Sequence, residues 1–372
     1  MSPSYNAPAD SLSLLRAISQ GDRVLPLTAF RPKQLHWIIE TGFAPLFCFL
    51  SRNDSNNSDT LWWRELQAAN LSVRLLNSVQ LDTLREILNR CEGLLPPITV
   101  LKGCSIATEF YPAAHLRVMR DLDILVKATD QPVVETVLLK MGFRQQSSNH
   151  VNFYYAHHHS MPFFHPGTGV WVEVHRDIFP RSEEVGTLRV FSGENVAAES
   201  RLSHCEGITV MRLSPELQLV YTASHWALGL IGLIQRGGLF AFLDTIFILR
   251  GAPQSIRWDA IFDWVSGSVA ATHLYLLLSY LHCNRIYQFD PEVLRELFRR
   301  QKSFGRINLE LAHRLIARYL VAGKIPLARG KLSILWETLL RNEGPVRNLA
   351  SFSSEIFSLP ESLKNKSGLL YP

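Results

Sequence analysis

Two aspartates separated by one apolar residue carry the densest chemistry in this chain: Asp121 and Asp123, in Arg120-Asp121-Leu122-Asp123-Ile124-Leu125-Val126. The run reads as a β-strand. Successive strand side chains face opposite ways, so both carboxylates share one face while Leu122 and Ile124 turn toward a core. Close carboxylates repel unless a cation lies between them, and hard oxygen ligands suit Mg²⁺ or Mn²⁺. Upstream, Leu101-Lys102-Gly103-Cys104-Ser105 puts a Gly-Cys-Ser turn at the start of a helix, and helix N-termini attract phosphate. Metal-binding carboxylates beside a phosphate cradle imply nucleotidyl transfer. An isolated Asp-x-Asp pair is also a common feature of solvated strand edges. Here the apolar flank Ile124-Leu125-Val126 argues for burial, where unpaired carboxylates are costly.

A two-ion site needs a further ligand and a base. Glu173 is the candidate, in Gly169-Val170-Trp171-Val172-Glu173-Val174-His175. The alternation puts Val170, Val172 and Val174 on one face and Trp171, Glu173 and His175 on the other. Pairing of this strand with the Asp121/Asp123 strand would aim Glu173 at the same ions. The blander reading is a strand whose polar face meets water. Lys102 and Arg117 are candidate triphosphate clamps, since Arg suits bidentate contact with phosphate; ordinary surface charge is the alternative for both. His175 either orients Glu173, touches the base, or is a partly buried imidazole bonded to backbone.

Several motifs occur together in one order: Leu101-Lys102-Gly103, Phe110-Tyr111-Pro112, Leu116-Arg117-Val118-Met119-Arg120-Asp121-Leu122-Asp123-Ile124-Leu125-Val126, Met141-Gly142-Phe143-Arg144 and Val172-Glu173-Val174-His175. This set resembles the bacterial uncharacterised nucleotidyltransferase family, a branch of the DNA polymerase β-like nucleotidyltransferase superfamily. The likeness is strong over residues 98–179 and weaker beyond, where Leu213-Ser214-Pro215-Glu216, His225 and Leu243-Asp244 fit a helical C-terminal half. The resemblance implies an α+β fold, a small mixed β-sheet core flanked by N- and C-terminal helical regions. It places Gly103 and Ser105 on the phosphate turn, Asp121 and Asp123 on the paired metal ligands, and Glu173 on the third acid. Two residues depart from the pattern. Arg120 stands where a small residue is usual, either adding a triphosphate contact or crowding the metal site. Arg176 stands where Trp often follows the His.

The implied reaction is attack by an acceptor hydroxyl on the α-phosphate of a nucleoside triphosphate, with Mg²⁺ or Mn²⁺ at Asp121, Asp123 and Glu173 and release of pyrophosphate. Lys102, Gly103, Ser105, Arg117, Arg120 and His175 would contact the nucleotide. The acceptor is open between a small molecule, a protein and RNA. Two other functions compete: a degenerate module that holds a nucleotide or partner without turnover, and a toxin-like transferase acting on tRNA ends.

Around this centre the sequence divides into an N-terminal helical region (1–95), the catalytic core (96–185) and a mainly helical C-terminal region (186–372). Helical spacing covers 11–18, 32–41, 61–69 and 79–91. The polar stretch 54–59 is an N-cap region. A strand follows at 98–101, a helix at 131–141 ended by Gly142, and a strand at 152–155. Residues 207–213 read as a strand, and Ser214-Pro215 as a helix start. His225 and Asp244 sit on apolar helices, where a contact between the two helices or a contact with substrate would satisfy both, core hydrogen bonding being the blander reading. His157-His158-His159, with His165, looks like a metal cluster. Consecutive histidines cannot converge on one ion without a sharp bend, and i,i+4 spacing is missing, so a loop at the mouth of the site is preferred to a zinc site.

Composition bounds the rest. A chain of 372 residues, 47% hydrophobic and 19% charged, can bury a generous core. A net charge of +5 suits an anionic substrate and permits RNA, without a basic stripe that would demand it. Five dispersed cysteines with no CxxC pair argue for reduced thiols and a cytoplasmic setting. Cys104 reads as small-residue packing more than as a reactive thiol. Residues 1–10 lack the apolar core of a signal, and the tail after Pro360 is polar. The most apolar stretch, 217–249, is interrupted by His225, Gln235, Arg236 and Asp244 and reads as buried helices with no membrane span.

Overall fold

A computed structural model of the chain describes residues 11–20, 27, 30–52, 60–147, 149–228, 231–234, 236–252, 256–301, 306–322 and 327–340. The chain divides into two compact units. One comprises Gln67–Gln218 and Phe247–Ile256; the other gathers the described residues of Met1–Leu66, Leu219–Ile246 and Arg257–Pro372. The expected segments 1–10, 54–59 and the tail after Pro360 lie outside the described residues.

The first unit carries a seven-stranded sheet: β1 (Thr99–Val100), β2 (Leu122–Leu125), β3 (Arg144–Gln145), β4 (Phe163–Phe164), β5 (Trp171–His175), β6 (Ser200–Cys205) and β7 (Ile208–Leu213). Their order is β3-β4-β5-β2-β1-β7-β6. The pairs β2–β5 and β1–β7 are parallel and the others antiparallel, so the sheet is mixed and the protein is α+β. Apolar residues at helical spacing along one helix, Leu84, Ile87, Leu88 and Cys91, cover the sheet residues Val100, Ile124, Val172 and Val174. The Gln131–Lys140 helix adds Val134, Val137 and Leu138 to the same core. Each such side chain contributes about 1.5–3 kcal/mol by leaving water. The alternation of β5 therefore fixes its register: its valines are buried, and Glu173 must face the other way.

Several local expectations are realised. The helix before Phe143 ends at Gly142, whose φ of +93° is a turn conformation suited to glycine. Ser214 caps the Pro215–Ala227 helix, its Oγ accepting from the Leu217 amide at 3.3 Å. Two expectations are corrected. The separate helices at 61–69 and 79–91 are one helix, Leu61–Cys91, because the weak helix formers between them include no Pro or Gly to stop propagation. The strand expected at 152–155 is instead a short helix, Val151–Ala156; its start is capped by His150 Nδ1, which accepts from the Asn152 amide.

The second unit is helical. Its Val269–Cys283 helix is buried from Val269 through Leu281, as a helix surrounded by others must be. Trp336 is fully buried and donates from Nε1 to the Ala227 carbonyl at 3.1 Å. Asp244 is buried here, whereas His225 is exposed, so His225 is not the core histidine expected from its apolar neighbours. Among the described residues, no helix is long and apolar enough to cross a membrane.

Candidate nucleotide and metal site

β2 pairs with β5 in parallel register, with Asp123 opposite Glu173 and Leu125 opposite His175. Chain segments distant in sequence thereby bring Asp123, Glu173 and His175 together, with ligand atoms within 4.8 Å of one another. Asp123 is buried; its Oδ1 accepts from Lys102 Nζ at 2.7 Å and from His175 Nε2 at 2.9 Å. Glu173 Oε2 lies 3.5 Å from Lys102 Nζ and 3.4 Å from His175 Nε2. Asp121, just before β2, is half-buried beside this group.

The charges are unevenly balanced. Burial pushes the Asp123 carboxyl up, but the Lys102 charge and the His175 hydrogen bond and charge outweigh it and hold the carboxyl well below the usual range. Burial also pushes Glu173 up, and its hydrogen bond with His175 and the charge of Lys102 bring it below its usual value. For His175, burial and Lys102 push down, yet hydrogen bonds to Asp123 and Glu173 raise it above an ordinary histidine. Asp121 bears the remainder. Burial, then the Asp123 and Glu173 carboxylates, push it to about 7 against the pull of Lys102 and Arg117. Three carboxylates gathered in one partly buried place suit an additional positive ion, and carboxylate oxygens with an imidazole form a donor set open to Mg²⁺ or Mn²⁺.

Lys102 opens the Lys102–Glu109 helix with φ of +45°, a backbone conformation that side chains other than Gly rarely adopt and that tends to gather at functional sites. The Arg117 guanidinium lies against Gly103 so closely that a Cβ there would overlap its Nη1. Gly103 thus admits a cation to the N-terminal turn of this helix, where backbone dipoles already favour anions. Ser105 is placed differently from its reading as a phosphate-turn residue. It is buried, and its Oγ and carbonyl accept from Arg212 Nη1 at 3.3 and 2.6 Å. Arg120 is exposed. Cys104 is buried core, as expected; a hydrogen bond with Cys205 and burial push its thiol up, while Cys205 is lowered to about 6, first by that same bond.

Three residues hold the site in place in roles that the sequence alone does not show. Arg212, fully buried on β7, also donates to Thr108 Oγ1 at 2.7 Å and the His204 carbonyl at 3.2 Å, tying the Lys102–Glu109 helix to the sheet. An Arg two residues from buried Val210 on the same strand face was the available signal. Asn77 is buried and binds the segment leading to Asp121: its Nδ2 donates to the carbonyls of Ala114 and Arg117, and its Oδ1 accepts from the Met119 amide. Arg176 was visible only as a departure from the family pattern. Its Nη2 donates to the carbonyls of Tyr154, Tyr155 and His157.

The chain belongs to the family described as "Uncharacterised nucleotidyltransferase", whose family model matches residues 35–285. No curated protein and no solved structure matches the chain. Family membership places the chain in the nucleotidyltransferase class.

Proposed function

We propose that this protein moves a nucleoside monophosphate from a nucleoside triphosphate to an acceptor hydroxyl and releases pyrophosphate. The observation that carries the reading is the β2–β5 register, which sets Asp123 beside Glu173 with Asp121 next to them, where burial and the two neighbouring carboxylates push Asp121 up to about 7. Asp121, Asp123 and Glu173 would hold Mg²⁺ or Mn²⁺. Divalent ions bound there supply positive charge against the entering and leaving oxygens. Glu173, held ionised at neutral pH, accepts the proton of the acceptor hydroxyl at its carboxylate. His175 keeps Asp123 and Glu173 oriented through Nε2. Arg117, against Gly103, and Lys102 bind the anionic phosphates, with the first helical turn adding its dipole. Ser105 and Arg120 carry no step in this mechanism.

A second reading is a module that holds nucleotide without turnover. Lys102 favours it, because an ammonium 2.7 Å from Asp123 already neutralises the carboxylate that an ion would need. One experiment separates the two. The purified chain is incubated with each α-labelled nucleoside triphosphate, Mg²⁺ or Mn²⁺, and a cell extract as the source of acceptor. Label moving to an acceptor only when the acids are intact supports transfer. Metal-dependent binding without transfer supports the module, and absence of both sinks the proposed chemistry.

A further inference from the structure

We infer that His157, His158 and His159 form a second, chemically distinct metal centre: a tripod of imidazoles for a borderline divalent transition ion of the zinc type. The objection raised by the sequence is that three consecutive histidines cannot converge without a sharp bend. The fold supplies that bend. The Val151–Ala156 helix stops, His157 turns extended with φ of −81° and ψ of 162°, and His159 forms an isolated bridge with His175 on β5. The three ring centroids then lie 4.2, 4.4 and 4.7 Å apart, and one ligand nitrogen from each falls within 4.8 Å of the others.

The bend is tied down by backbone bonds that leave the rings available. Arg176 Nη2 holds the His157 carbonyl. The amides of Arg176 and Asp177 both donate to the His158 carbonyl, at 2.9 and 3.2 Å, and the Ser160 amide donates to the Val174 carbonyl at 3.0 Å. These contacts fix the segment against β5 before any ion arrives, which is the preorganisation a metal site needs.

The ring nitrogens call for a ligand. Nδ1 of His157 and Nδ1 of His158 are buried and have no hydrogen-bond partner among the described residues. Buried polar atoms without partners are uncommon and costly, and a metal bond satisfies an imidazole lone pair. His159 is set for the same task. Its Nδ1 donates to the Ser160 carbonyl at 2.6 Å, which leaves Nε2 as the nitrogen with the lone pair. A ligating imidazole whose second nitrogen is fixed by a carbonyl is a recurrent support of metal sites.

The donor set selects the ion. Three imidazoles suit zinc and its transition-metal neighbours, whereas magnesium prefers the carboxylate oxygens of Asp121, Asp123 and Glu173. Three protein ligands leave a fourth, open position on a tetrahedral ion. Glu173 Oε2 lies 3.9 Å from His159 Nε2, so this second centre adjoins the group assigned as base while sharing none of its ligands.

The test uses the full chain, stripped with a chelator, loaded with Zn²⁺ and desalted, with metal content read by mass spectrometry. Wild-type protein and Glu173→Gln should each keep about one zinc per chain. His157→Ala and His158→Ala should keep none. Co²⁺ in place of Zn²⁺ should give wild-type protein the intense visible absorption of a tetrahedral site; this second reading decides the matter if an alanine variant does not fold. The inference is overturned if wild-type protein keeps no zinc or gives only the pale spectrum of octahedral Co²⁺. It is equally overturned if the histidine variants keep zinc, or if zinc is lost only with Glu173, which would assign it to the carboxylate group. Zinc retention is read without nucleotide, so failure here leaves the magnesium-dependent transfer assay to stand or fall alone.

Discussion

His175 in the sheet unit and His273 in the helical unit are both shut away from water, yet their pKa values move in opposite directions. His273 is lowered to about 3 by burial alone, and its Nδ1 has no partner among the described residues. His175 meets the same burial but is raised, because Asp123 and Glu173 accept from it. His313 follows His273, lowered to about 4 by burial, with Ser279 Oγ 3.1 Å from its Nε2. Burial by itself therefore makes a neutral core residue. Burial beside retained charge marks the place where the fold spends stability on chemistry.

The largest way to break this contrast is Asp123→Ala. It strands Lys102 and His175 without their buried acceptor, and removing one partner of such a group costs about 3–5 kcal/mol. Urea denaturation should show that loss, and the His175 titration, followed by NMR, should move down toward that of His273. An unchanged His175 titration would show that Asp123 does not set its charge.

Asn77→Ala comes next. The buried amide satisfies two carbonyls and an amide ahead of Asp121, so its loss should cost about 1–3 kcal/mol in the same denaturation experiment. A cost near zero would mean that this segment holds its shape without Asn77.

The helical unit makes the pH prediction. The folded pKa values of His273 and His313 lie below 6.5, so the unfolded chain takes up protons first as pH falls. Their contribution to stability is whole above about pH 6.5 and drains away toward pH 4 and then 3, at about 1.4 kcal/mol per pH unit for each group. His273→Leu should flatten that acid slope. A slope identical to wild type would remove His273 from the account.

Gly103→Ala should have the smallest effect on stability, within about 1 kcal/mol, because the atom in its way is the movable end of Arg117. Displacing that guanidinium should instead weaken nucleotide binding, seen as a raised KM with little change in kcat. No change in KM would separate Arg117 from the phosphates.

The core of the site was legible because strand alternation has a period of two. The valines of β5 could be buried only if Glu173 and His175 faced away, and the same parity governed Asp123 on β2. What stayed hidden depends on partners remote in sequence. Arg212 reaches Ser105, Asn77 reaches Arg117, and Arg176 gathers carbonyls from the segment before it. The same tertiary contacts explain the misread strand at 152–155: Asn-Phe-Tyr-Tyr has little helical preference of its own, and capping and carbonyl bonds decide its shape. The spacing of the histidine run says nothing of the bend that Arg176 and β5 impose.

The most direct measurement is nucleotidyl transfer by wild-type protein, Asp121→Asn and His273→Leu in parallel, each first shown to be folded by circular dichroism. Asp121 is half-buried and is pushed up to about 7 by burial and its neighbouring carboxylates, so it can be neutralised with less damage to the fold than Asp123. The account predicts that Asp121→Asn stays folded and loses transfer while His273→Leu keeps it. Full transfer by folded Asp121→Asn would contradict the assignment of this carboxylate group as the catalytic centre.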